Sequence, residues 1–67
     1  MLASGLQKHG VYELPGRRNR LKYMSSYWDQ HVCYHEFETV GQPGPISAVL
    51  TQPDLHTLRK VEKNNEN

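Results

Sequence analysis

Ser26-Tyr27-Trp28-Asp29-Gln30-His31-Val32-Cys33-Tyr34-His35-Glu36-Phe37-Glu38-Thr39-Val40 carries the only tryptophan of the chain beside Tyr27, Tyr34 and Phe37. Its opening fits a helix start, because a serine hydroxyl can accept a backbone N–H and an acid follows three residues on, at Asp29. Its continuation does not fit a helix. At helical spacing Tyr27, Trp28, Val32, Cys33, Tyr34 and Phe37 scatter around the whole circumference, whereas the Val, Cys, Tyr, Phe and Thr content of His31 to Val40 favours a strand. The sequence therefore predicts a helical turn over Ser26 to Gln30 that leads into a strand.

On the C-terminal side, Gly41-Gln42-Pro43-Gly44-Pro45 breaks the chain, since each proline removes a backbone donor and Gly44 supplies a permissive backbone between them. Ile46 to Leu50 then reads as a short buried strand. Thr51-Gln52-Pro53-Asp54 is a helix start, with Thr51 as cap, Pro53 in the first turn and Asp54 at the positive end of the dipole. Leu55, Leu58 and Val61 or Glu62 fall on one face, with Arg59, Lys60 and Lys63 near the C-terminal end, so a helix is expected over about 52–63. Asn64 to Asn67 read as a polar tail.

On the N-terminal side, Leu14-Pro15-Gly16-Arg17 reads as a turn, with proline's fixed φ second and glycine's freedom third. Gly5 and Gly10 interrupt any helix that Leu2, Ala3 and Leu6 begin, so residues 1–13 are expected to form a flexible arm. The fold class that follows is a small, loop-rich α+β domain: an aromatic central segment of helical turn then strand, a short strand at 46–50, and a C-terminal helix. The alternative is a largely irregular chain ordered by a partner. Either way the chain is a single small unit, divided into the arm, a basic and aromatic half at 14–40, the break at 41–45, the strand and helix at 46–63, and the tail.

Sixty-seven residues leave little room for a core closed on every side, and chains of this size usually need a disulfide, a metal, oligomerisation or a partner. Cys33 is the only cysteine, which excludes an internal disulfide and argues for an intracellular setting: cytoplasm, nucleus or mitochondrial matrix. No apolar run approaches the roughly 20 residues of a membrane span, and no secretory signal is expected at the N-terminus. The net charge of +1 hides an asymmetry, because Met1 to Trp28 hold five basic residues against Glu13 alone, while Asp29 to Asn67 hold three against six acids.

Four chemistries compete for these residues. His31, Cys33 and His35 are nitrogen and sulfur donors suited to zinc, and on a strand they share one face, but the paired Cys-x-x-Cys knuckle is missing. A Cys/His nucleophile draws on the same residues and lacks an orienting third group, so no enzyme is expected. Arg17, Arg18, Arg20 and Lys22 could neutralise phosphates while Tyr23, Tyr27 and Trp28 stack on bases, which is the logic of a small nucleic-acid-binding protein. The favoured expectation is a non-catalytic accessory subunit that docks on a larger protein, without a cofactor. Tyr23, Tyr27, Trp28, Tyr34 and Phe37 would act as its anchors and Arg17 to Lys22 as a steering segment.

Overall fold

A computed structural model describes residues 1–42 and 44–61. Five strands form one antiparallel sheet: β1 (Val11–Glu13), β2 (Leu21–Asp29), β3 (Val32–Thr39), β4 (Ala48–Leu50) and β5 (Arg59–Lys60), in the order β4-β3-β2-β1-β5. A one-turn helix α1 (Gln52–Leu55) and a 3-10 turn at Ala3–Gly5 are its helical elements.

The expected α+β class, with its C-terminal helix, is overturned. Trp28 and its neighbours form no helical turn; Ser26 to Asp29 belong to β2, the longest strand. The reason is a β-bulge. Between Tyr23 and Ser25 the pairing of β2 with β3 shifts, with Tyr23 opposite Phe37 and Ser25 opposite Glu36. One extra residue reverses the faces of everything beyond it. Leu21 and Tyr23 therefore share a face with Ser26 and Trp28, and the alternation looks broken when it is only offset. The expected strand over His31 to Val40 corresponds to β3, and the strand expected at 46–50 is confined to Ala48–Leu50.

The helix expected over 52–63 begins where its capping signals place it and stops after Leu55. The Asp54 carboxylate accepts hydrogen bonds from the Thr51 backbone N–H (3.0 Å) and hydroxyl (3.2 Å). A segment of about ten residues has little intrinsic helicity, so tertiary pairing decides its conformation. Here Arg59 and Lys60 pair with Glu13 and Tyr12, and the Val61 N–H donates to the Val11 carbonyl. Leu55 and Leu58 are both buried, a spacing that a turn satisfies as well as a helix. Residues 62–67, which include the end of the expected helix and the tail, lie outside the described residues.

Residues 1–13 are not a free arm. They supply β1, and Met1, Ala3 and Leu6 pack against the core. Tyr12 is fully buried; its hydroxyl accepts the Gln7 backbone N–H at 2.8 Å. A Cβ at Gly10 would meet the Gln7 carbonyl at 2.9 Å and the Tyr12 ring at 3.2 Å, so glycine is required there by close approach. The Leu14–Arg17 turn has the expected form, with the Arg17 N–H on the Leu14 carbonyl and Gly16 at φ +87°.

One face of the sheet is covered. Tyr12, Leu21, Phe37 and Leu50 bury against Leu55 and Leu58, with the N-terminal segment beside them. The Tyr12 ring meets Phe37 edge-on at 6.2 Å, and Tyr23 packs on Phe37 at 5.5 Å. The opposite face carries Lys22 paired with Glu38, Ser25 hydrogen-bonded to Glu36, and Tyr27 stacked on Tyr34. A core on one side and polar groups on the other is the usual solution for antiparallel sheets. An irregular chain awaiting a partner is therefore not what the residues form.

The β2–β3 hairpin closes through Gln30 (φ 51°) and His31 (φ 69°), both left-handed and neither a glycine. Two-residue hairpins of this hand favour Asn-Gly, because a Cβ is strained at positive φ. Replacing Gln30→Asn together with His31→Gly should stabilise the fold by roughly 1 kcal/mol. Urea unfolding of the two proteins measures this, and a lower midpoint in the variant would contradict the left-handed turn.

Candidate functional site

β1 and β4 are shorter than the strands they flank, and this creates the main surface feature. Among the described strands, β1 pairs with β2 at Leu21 and Lys22, and β4 pairs with β3 from His35 to Phe37. Tyr27 to Asp29 and Val32 to Tyr34 pair only with each other. At about 3.3 Å per residue, the ribbon extends roughly 13 Å past the flanking strands. A bare two-stranded ribbon needs cross-strand contacts to hold its shape, and the stacked Tyr27 and Tyr34 rings, 5.3 Å apart, provide one on the polar face.

Trp28 lies opposite Cys33 on the other face and is 73% exposed. Beneath it runs a groove of about 530 Å³, walled by Trp28, Val32, Cys33 and His35 on the hairpin and by Ala3 and Pro53 on the opposite side. Its surface is largely apolar.

His35 in the groove wall begins a polar relay. His35 is buried, and its Nδ1 shares a 2.6 Å hydrogen bond with the Ser26 hydroxyl, which in turn bonds the Tyr23 hydroxyl. The relay follows from the bulge, which brings Ser26 opposite His35. Burial lowers the His35 pKa from its ordinary 6.5, because the low-dielectric surroundings disfavour the charged ring.

The structure separates the residues that the sequence grouped. Tyr27, Trp28 and Tyr34 sit on the overhanging ribbon, with Tyr34 half-buried. Phe37 lies in the core at 0% exposure, and the half-buried Tyr23 packs beside it, so the Phe37 ring is not presented to solvent as an anchor. Arg17, Arg18 and Arg20 occupy the loop between β1 and β2, at the far end of β2 from Trp28. From Leu21 to Trp28 the strand covers roughly 23 Å, so the arginines and the exposed rings form two sites. Lys22 faces Glu38 on the polar face at 3.7 Å.

His31, Cys33 and His35 do line one groove, although only Cys33 and His35 alternate on β3 and His31 reaches it from the hairpin turn. Among the described residues, however, no three His, Cys, Asp or Glu side chains come together as metal donors. Contributors not legible as site residues include Ala3 and Pro53 in the groove wall and Arg59, which β5 delivers beside the basic loop. Only the pairing of β5 with β1 reveals Arg59. No helix among the described residues is long and apolar enough to cross a membrane. No family model, curated protein or solved structure matches the chain.

The buried His35 makes stability depend on pH. The unfolded chain takes up a proton near pH 6.5 while the folded ring resists it, so stability falls as pH drops below that value and through the lower folded pKa. Between about pH 7.5 and 5.5 the wild-type melting temperature should fall more than that of His35→Asn, which keeps an amide where Nδ1 stood and cannot titrate. Parallel melting curves for both proteins would expose the difference; equal losses would assign the pH dependence elsewhere.

Proposed function

We propose that the chain is a non-catalytic accessory subunit that docks on a larger protein through the overhanging tip of the β2–β3 hairpin. The observation that carries this reading is Trp28, 73% exposed on a ribbon that extends beyond the core, with an apolar groove beneath it. Leaving an indole in water forgoes about 1.5–3 kcal/mol of burial free energy, which a partner surface would recover. Exposed tryptophan and tyrosine dominate binding energy at protein interfaces, because they bury large areas with few rotatable bonds. Val32 to Tyr34 pair with β2 on one side only among the described residues, and their outer edge adds a strand edge on which an extended segment of the partner can pair.

The separation of charge from rings favours this reading over a single-stranded nucleic-acid binder, which interleaves phosphate contacts with stacking platforms along one track. The solitary, half-buried Cys33 suits a reducing, intracellular compartment.

Capture of the partner from the native source with the full chain tests the proposal. Trp28→Ala should lower recovery at least tenfold, about 1.4 kcal/mol or more, while leaving the unfolding midpoint essentially unchanged. Phe37→Ala, at a fully buried site, should instead cost about 3–5 kcal/mol of stability. Undiminished recovery with Trp28→Ala would remove the tip from the interface.

A further inference from the structure

The second exposed hollow lies at the other end of the sheet, between the β1–β2 loop and β5. It has a volume of about 390 Å³, and its lining includes Arg17, Arg18, Arg20 and Arg59 with Glu13. Four arginines and a single glutamate line it, in a chain whose overall charge is only +1. Like charges repel, so gathering them from two separate elements costs free energy unless an anion is to be held.

Several of these groups are fixed before any ligand arrives. Arg20 donates through Nε to Glu13 Oε2 at 3.2 Å, which leaves its terminal Nη donors to serve a ligand. Arg17 donates through Nη2 to the Ser47 carbonyl at 3.4 Å, tying the loop to the segment before β4. Arg59 is placed by the register of β5, opposite Glu13. The Pro15-Gly16 turn holds the loop between them, and open space surrounds the Gly16 Cα. Planar guanidinium forks match phosphate and carboxylate oxygens two at a time, and anchoring them beforehand lowers the ordering cost of binding.

We infer that this arginine-lined hollow binds a phosphate monoester in its dianionic form. A carboxylate brings one negative charge to four cations and a single counter-charge, whereas a phosphate monoester brings about −1.5 to −2 at neutral pH and three acceptor oxygens. The hollow is open enough for the esterified group to extend into solvent. A phosphodiester chain fits less well, because the exposed rings that would stack its bases are about 23 Å away along β2. The site stands apart from the docking tip, so either can fail without the other.

Amide and guanidinium NMR spectra of the full chain, titrated with phenyl phosphate and with inorganic phosphate, test this. Saturable shifts are expected at Gly16, Arg18 and Arg59, and Arg18→Gln or Arg59→Gln should weaken binding roughly tenfold with unchanged spectral dispersion. Lowering the pH from about 7.5 to 5.5 should weaken phenyl phosphate as it becomes a monoanion, but not sulfate, which stays doubly charged. A 5′-phosphorylated oligonucleotide should bind at this site and its unphosphorylated twin should not. Shifts that never saturate, variants that bind like the wild type, or equal binding of the two oligonucleotides would each overturn the assignment.

Discussion

Covering one face of a five-stranded sheet is all that a chain of this size can manage, and the packing of Phe37 is where that limit is met. Phe37 is fully buried between Tyr12 and Tyr23, under the turn that carries Leu55 and Leu58. Each covering piece is short: a 3-10 turn, a one-turn helix and a loop. None would hold its shape alone, so the aromatic face of the sheet organises them rather than the reverse. Because the cover ends near α1, the hairpin tip extends past it with Trp28 left in solvent. Both the core and the exposed tip follow from this single shortage of covering chain.

Much of the local geometry could be read from the sequence, and the sheet could not. Pro15-Gly16 announced its turn, Thr51 to Asp54 announced a helix start, and the β-branched and aromatic content of residues 31–40 announced β3. β2 was hidden by its bulge, since the extra residue after Tyr23 puts Tyr27 and Trp28 out of phase with Leu21 and Tyr23. Neither a period of two nor one of 3.6 survives such an offset. β1 and β5 were hidden for a different reason. They are three and two residues long, too short to show alternation, and they exist because they pair with each other and with β2.

The candidate sites show the same division. That Trp28 and the arginines matter was legible from residue type, because rings and guanidinium groups in a sparse chain call for partners. Their separation was not, since adjacency in sequence suggested one mixed surface and a nine-residue strand pulls the two groups apart. The zinc reading grouped residues that do share a groove, yet among the described residues no three donors converge, and His35 directs its Nδ1 to the Ser26 hydroxyl.

The bulge also governs how the two ends of the molecule face. A bulge shifts every side chain beyond it by one place, and here it falls at Met24, just after the residues that β1 pairs with. Were Met24 paired regularly instead of bulged, Trp28 would turn to the side of the sheet that carries Lys22 and Glu38, away from α1 and the N-terminal segment. The indole would then stand over charged neighbours, with no cleft at its foot. A single bulged position thus decides which side of the protrusion an incoming molecule meets: one more regularly paired residue in β2 would exchange the two faces, whereas loss of Met24 would restore plain alternation and leave the indole where it is.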